Sequence, residues 1–151
     1  MRRQDREISQ PEAIVILQKG EYGVLSMCTH TNEGYGIPIN FVFQEDHIYL
    51  HCATAGSKLE YLRKNNHVSF CVVGNTMILP TDFGTLYESV IVAGTTSEVT
   101  GTEKQEALIL FLEKYYGELN QNGKDYIDKL SEKVIVLKLS VASITGKARR
   151  Q

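Results

Sequence analysis

The sequence contains no tryptophan and has only three prolines and three cysteines. Cys28, Cys52 and Cys71 form no Cys-x-x-Cys pair, and any disulfide scheme leaves one of them unpaired. All three lie in apolar, strand-like runs. We therefore interpret them as reduced, buried thiols, and we expect neither a disulfide scaffold nor a cysteine-based metal site.

Long apolar runs and an excess of one charge are also missing. No run of about 18 apolar residues is available to span a membrane, and no apolar stretch follows Met1–Glu7 as it would in a secretory signal. The formal net charge is −2, so the chain lacks a basic field that would collect nucleic acid. These absences predict a cytoplasmic protein that binds neither membrane nor nucleic acid.

The rest of the composition is that of an ordinary globular protein. Hydrophobic residues make up 42% of the 151 residues and charged residues 23%, a balance that argues against disordered and fibrous chains. The length suits one domain with a buried core, and no low-complexity linker divides it. We therefore expect residues 1–151 to form a single domain.

Hydrophobic periodicity predicts a mainly β protein with flanking helices. Short turns between most of the predicted strands favour antiparallel pairing and closure into a six-stranded barrel. Capping patterns open helices at Ser9–Glu12 and Thr102–Gln105. The basic tail 146–151 is expected to be mobile at its end. The predicted strands are 22–28, 36–43, 47–52, 67–73, 85–99 (continuous or broken near Gly94) and 134–140, and further helices are predicted at 57–64 and around 125–130.

The segment 51–65 carries the clearest chemical signal. A strand ends there, a loop of small residues follows, and a helix begins at Ser57. The start of a helix offers free main-chain N–H groups and a partial positive charge, to which Ser57 adds a hydroxyl and Lys58 a full charge. This arrangement suits a phosphate monoester. The spacing from Ser57 to Glu60 fits a capping box equally well, so the two interpretations remain open.

The histidines give no metal or nucleophile motif. His47 and His51 lie on the same face of a strand but are roughly 13 Å apart, which is too far for a shared metal. Cys52 and His51 are adjacent, so their side chains point to opposite faces and cannot act as a pair. We therefore assign no metal site.

Several short motifs occur in a characteristic order, and together they resemble the pyridoxamine 5′-phosphate oxidase-like split-barrel flavoproteins. Within these the match is closest to the Nim proteins, the branch associated with 5-nitroimidazole resistance, which the opening Arg2–Glu7 and the closing Ile144–Lys147 also resemble. The motifs are Gly36–Phe43, Ile48–His51, Gly56–Leu59, Leu62–Asn65, Val68–Phe70 and Tyr87–Gly94.

The resemblance implies a six-stranded split barrel, a homodimer, and one FMN in each of two clefts at the dimer interface. It implies a reductase that uses this flavin, with NAD(P)H as the candidate electron donor, on a small planar substrate such as a nitroimidazole, and with His51 as a neighbouring proton source. The residues expected to contact the flavin ring and ribityl chain are Pro38, Ile39, Asn40, Phe41, Tyr49, Leu50 and His51. Ser57 and Lys58 would hold the phosphate; Glu88, Ser89 and Val90 would face the flavin across the interface, and Lys147 would reach the pyrimidine edge.

Two other functions remain open at this point. One is a non-catalytic module that stores or senses flavin or haem, with His51 or His47 as an axial haem ligand. The other is oxidation of pyridoxamine phosphate. Against the latter, Glu88 and Ser89 stand where such oxidases often carry arginine, and the basic residues of the tail are few.

Overall fold

The computed structural model describes residues 3–117 and 120–151. Arg2, the first residue of one motif above, lies outside these residues. Within them seven strands form one antiparallel sheet. The strands are β1 (Glu7–Ile8), β2 (Tyr22–Cys28), β3 (Gly34–Gln44), β4 (His47–Ala53), β5 (His67–Leu79), β6 (Gly84–Val99) and β7 (Val134–Arg149).

Four α-helices accompany the sheet in the described part of the chain. They are α1 (Gln10–Lys19), α2 (Ser57–Lys64), α3 (Gly101–Tyr116) and α4 (Gln121–Leu130). The capping prediction for α1 is supported, because the Ser9 N–H donates to the Glu12 carboxylate at 2.9 Å. The helix predicted to open at Thr102–Gln105 is present as α3, but its capping pattern is not formed, since Thr100 is the N-cap residue and makes no side-chain capping bond.

The six long strands close into a ring in the order β7-β4-β3-β2-β5-β6, with β6 pairing back to β7. The two-residue strand β1 adds to the outside of β7. The predicted six-stranded antiparallel barrel is therefore confirmed, and the seventh strand is this short addition. Closure gives the long strands partners and so removes most free sheet edges.

Two hydrophobic clusters hold the elements together. The larger one fills the barrel and includes Phe41 and Phe70, together with Leu17 of α1, each fully buried. The smaller one lies on the outer surface, where α3 packs its Ala107 and Phe111 on strand residues that include Tyr49. The same strands thus bury one face inside the barrel and part of the other face under α3.

Strand limits differ from the predictions where pairing extends beyond the local signal. β5 continues to Leu79, and β7 continues to Arg149, so residues 146–149 of the tail are part of the sheet. Of the two alternatives for residues 85–99, the strand is continuous, and its register with β7 shifts between Ala93 and Gly94. A Cβ atom at Gly94 would clash with the carbonyl oxygen of Ser140, which explains the need for glycine.

Candidate functional site

The barrel is open between β3 and β4. These strands pair only from Phe41–Leu50 to Gln44–His47. Before Phe41, residues 34–40 of β3 pair with β2 alone, while His51–Ala53 of β4 pair with β7 alone. We call this opening the split. Pro38 lies along it and has no N–H to donate, which disfavours continuation of the ladder.

Side chains from α3 stabilise β3 at the point where it changes partners. The main-chain N–H of Phe41 donates to the hydroxyl of Tyr115 at 3.1 Å. The carbonyl of Phe41 accepts a hydrogen bond from the Lys114 amine at 2.8 Å. That amine also lies 4.0 Å from the centre of the Phe41 ring. Main-chain groups without a strand partner are thus satisfied by α3.

The start of α2 lies beside the split and is free of capping side chains. Gly56 is the N-cap residue, and neither it nor Ser57 makes a side-chain capping bond. The φ of Gly56 is +134° and its ψ is 161°, a conformation that essentially only glycine adopts. The capping-box interpretation of Ser57–Glu60 is therefore wrong. The Ser57 hydroxyl and the first N–H groups of the helix are available to a ligand.

Lys58 reaches toward β4. Its positive charge acts on both Cys52 and His51. Burial raises the pKa of the Cys52 thiol despite this charge. The thiol therefore stays protonated at neutral pH. Lys58 and His51 thus lie near each other at the end of β4.

His51 is neutral at neutral pH. Its ring meets that of Phe111 edge to face, with ring centroids 4.6 Å apart and planes at 86°. Although part of the ring is open to solvent, this partial burial lowers the pKa of His51, and the charge of Lys58 lowers it further. The residue was expected as a proton source. In its neutral form it is better suited to accept a proton or to share a hydrogen bond.

Four of the residues expected to contact the flavin have side chains that face elsewhere. Phe41, Leu50 and Val90 are fully buried in the barrel interior. Tyr49 lies under α3, and its hydroxyl donates to Glu103 at 3.0 Å. Burial raises the pKa of Tyr49 to about 12, and the hydrogen bond to Glu103 and the charge of that residue contribute to the increase. Any contact from these positions must therefore use main-chain atoms, which corrects the expectation for their side chains.

Glu88, Ser89 and Lys147, which were also predicted to contact the flavin, form a second group near the C-terminal end of β7. Ser89 of β6 lies opposite Lys147 of β7. Glu88 is already engaged within the chain, because Arg150 lies 3.7 Å from its carboxylate and the N–H of Asn75 donates to it. This group is separate from the split, since His51 pairs with Val136 near the start of β7.

An apolar outer face connects the two groups. It runs across four neighbouring strands, because Pro38 pairs with Val24, Val24 with Cys71, and Cys71 with Ile91. Val73, on the same face of β5, pairs with Ser89 and is 60% exposed. We call the residues Val24, Cys71, Val73 and Ile91 the outer face. At about 4.8 Å per strand, it separates the split from Lys147 by roughly 20 Å.

Sequence reasoning missed the contribution of α3. Tyr115, Lys114 and Phe111 contact the predicted residues, yet they lie far from them in the chain and fit an ordinary amphipathic helix. A lysine within the apolar stretch 107–115 was the one signal available. Among the described residues, no group of three or more His, Cys, Asp or Glu is placed to hold a metal ion, and no helix is long and apolar enough to cross a membrane.

Known proteins resemble the chain in sequence pattern and in fold. A candidate 5-nitroimidazole antibiotic resistance protein from Bacteroides thetaiotaomicron superimposes with a TM-score of 0.82 at 23% identity, over 94% of this chain and 86% of that one. A conserved hypothetical protein from Mycobacterium tuberculosis superimposes with a TM-score of 0.85 at 17% identity, over 98% of this chain and 89% of that one. An FAD-binding protein from Mesorhizobium loti superimposes with a TM-score of 0.68 at 20% identity, over 96% of this chain and 98% of that one. At these identities the likeness shows the fold.

Sequence comparison establishes the family. No curated protein matches the sequence of the chain. The family model described as pyridoxamine 5′-phosphate oxidase, however, matches residues 9–148. This range includes the strands of the barrel ring except the last residue of β7, together with the split and the start of α2. The chain therefore belongs to the pyridoxamine 5′-phosphate oxidase family.

Proposed function

We propose that the chain binds FMN at the split and uses it to reduce a small planar substrate. The observation that carries this proposal is the juxtaposition of an uncapped helix start bearing Ser57 and Lys58 with a barrel edge that has lost its strand partner. Flavin supplies the redox chemistry when bound, and the protein supplies position and electrostatics.

The start of α2 fits a phosphate. Gly56 leaves open space around the turn, because a Cβ atom there would have no neighbour within 4 Å. Ser57 contributes its hydroxyl and N–H, and Lys58 contributes a charge beside the end of β4. Such charge-assisted bonds are about twice as strong as neutral ones, and the helix start adds its own partial positive charge.

The edge of β3 fits the flat part of the cofactor. Pro38 and Asn40 are exposed on the outer side of the split, while Ile39 packs inward on the core. The side-chain amide of Asn40 donates to the carbonyl of Glu21 at 3.1 Å, which fixes its orientation. Main-chain groups of residues 38–41 and the ring of His51 would border the flavin here.

A homodimer would complete this site. In a twofold dimer formed through the outer face, each chain presents the same apolar patch to the other. Because the split and the Ser89–Lys147 pair lie at opposite margins of that patch, one chain's pair would meet the other chain's split. The result is two equivalent clefts, each with a partner's lysine near it.

The relatives support a flavin and suggest a substrate class. One neighbour is described as FAD-binding and another as a candidate 5-nitroimidazole antibiotic resistance protein. We assign FMN rather than FAD because the donors around Lys58 suit a single terminal phosphate. Reduction of nitroimidazole-type rings is the activity we propose, with NADH or NADPH as the donor to test.

The absorbance spectrum of the purified protein tests the cofactor. A flavin band, with FMN recovered from the denatured protein, is the expected result. FAD in the extract would overturn the FMN assignment, and a Soret band would replace flavin by haem. Anaerobic addition of NADH or NADPH should bleach the flavin, and a 5-nitroimidazole should then reoxidise it. A flavin that neither donor reduces would leave only the binding function.

Lys58→Glu tests the phosphate position. Repulsion in place of a charge-assisted bond should reduce flavin content per chain by about tenfold or more. Lys64→Glu is the matched control, since it makes the same change of charge at the far end of α2 and should retain the flavin. Equal flavin content in both variants would contradict the assignment.

A further inference from the structure

A cavity of about 230 Å³ lies between α3, α4 and the outer surface of the barrel. Phe111 and Tyr115 of α3 line one side, and Tyr126 and Ile127 of α4 line the other. An apolar cavity of 150 Å³ is known to bind benzene. The space is therefore large enough for one aromatic ring with a substituent.

The walls favour a flat ligand. The rings of Phe111 and Tyr115 are nearly parallel, with planes at 13° and centroids 6.1 Å apart. The ring of His51 meets Phe111 edge to face. Phe111 itself is 5% exposed and packed in the outer cluster, so this wall is held in place. Aromatic rings in such walls prefer offset or edge-to-face contact with another ring.

The electrostatics favour an uncharged ligand. The lining side chains are hydrocarbons and phenols, with Asn40 and His51 as the other polar groups. His51 is neutral at neutral pH for the reasons given above. An ion entering this cavity would lose its hydration without finding a counter-charge on the walls.

The cavity is unsuited to the whole cofactor but borders its proposed site. Pockets for drug-sized ligands usually measure 300–1,000 Å³, and the walls here offer no cation for a phosphate. Asn40 and His51, however, belong both to the cavity lining and to the edge of the split. A ligand in the cavity would therefore lie next to the flavin.

We propose that this cavity is the substrate subsite, and that it binds an uncharged single-ring aromatic or heteroaromatic group between α3 and α4, with Asn40 and His51 at the end facing the cofactor. The assignment as a substrate subsite rests on the proposed flavin site, whereas binding of the ring itself does not require it. This inference adds a specificity pocket to a family whose name describes a charged substrate.

A direct binding experiment tests the pocket without relying on turnover. The uncharged probe is para-fluoronitrobenzene, whose binding to the protein as purified is measured from its fluorine NMR signal. The charged comparison is para-nitrobenzoate, whose binding is measured by isothermal titration calorimetry. The uncharged probe should bind with an affinity at least about tenfold higher than the charged one. Equal affinities, or no binding of the uncharged probe, would overturn the proposal.

Leu112→Trp fills the cavity from α3 and should weaken probe binding by about tenfold or more. Ile109→Trp is the matched control on the same helix, because Ile109 borders a different depression with Glu106 and Ala107 and should leave binding unchanged. Tyr126→Ala removes a wall at a residue that is 56% exposed, so it keeps the test valid if Leu112→Trp does not fold.

Flavin content separates this proposal from the previous one. Leu112→Trp should retain its flavin while losing affinity for the probe, and with turnover established its KM for a 5-nitroimidazole should rise. If Leu112→Trp loses flavin instead, the cavity belongs to the cofactor and the subsite is refuted. If neither the wild type nor any variant contains flavin, but the probe still binds as predicted, the binding cavity is supported and the proposed function fails.

Discussion

The two halves of β3 are held by different partners. Residues 41–44 pair with β4, and the side chains of Phe41, Val42 and Phe43 are buried. Residues 34–40 pair with β2, and Pro38 and Asn40 are exposed. Residues 41–44 belong to the core, and residues 34–40 belong to the candidate site. The difference shows that one strand can serve both purposes when it changes partners midway and a helix satisfies the groups left at the change.

The largest difference between the halves should appear in a pair of truncations. Phe41→Ala removes a fully buried ring that contacts Phe70, and it should lower the free energy of unfolding by about 3–5 kcal/mol. Pro38→Ala removes an exposed ring and should lower it by about 1 kcal/mol or less. Urea denaturation of both variants measures this. Similar losses would contradict the division of β3.

A smaller contrast is expected from methyl groups added to the inner and outer faces where β2 pairs with the open half of β3. In Gly23→Ala the new Cβ atom would collide with the buried Phe70 ring, at a cost of about 1–3 kcal/mol. In Gly36→Ala the Cβ atom would lie 3.4 Å from Val24, an ordinary contact, and stability should change little or rise by about 0.5 kcal/mol. Thermal unfolding of the two variants compares them, and a larger loss in Gly36→Ala would show that the open half is more tightly packed than described.

Tyr115→Phe tests the change of partners itself. The variant keeps the ring but leaves the N–H of Phe41 without the hydroxyl that accepts from it. We expect a loss of about 1–2 kcal/mol, together with faster hydrogen exchange of the Phe41 amide. Tyr22→Phe, at an exposed residue paired with Asn40, is the control and should have no such effect. Unchanged exchange at Phe41 would mean that the hydroxyl does not protect it.

Lys114 should give an effect that is visible as a dependence on pH. Burial lowers its pKa from 10.5 to about 8, and the charge of Glu21 only partly opposes this. Between these values the unfolded chain binds more protons than the folded chain, so this residue's contribution to stability increases as pH rises from about 8 to 10.5. The unfolding free energy of the wild type relative to Lys114→Met should therefore increase as pH rises through that range. A constant difference would contradict the shifted pKa.

Parts of the fold with a local signal could be predicted, and parts that depend on pairing could not. The limits of β2 and α2 were predicted correctly, because alternation and helix-stop residues are local. The extension of β7 was not, because Lys147 joins the sheet through a partner on β6. Likewise, Ser57 and Lys58 could be recognised beside a strand end, whereas the contacts of Lys114 with Phe41 join elements remote in the chain.

By itself the sequence determined the alternation that gives six barrel strands, the turn that starts α2, and the family to which these motifs belong. Only the tertiary structure decided which main-chain edges remain unpaired, which expected side chains point into the core, and that α3 and α4 enclose a cavity beside His51. The physical reason is that strand patterning is set by neighbouring residues. The split and the cavity instead arise from where distant strands stop pairing and where distant helices pack.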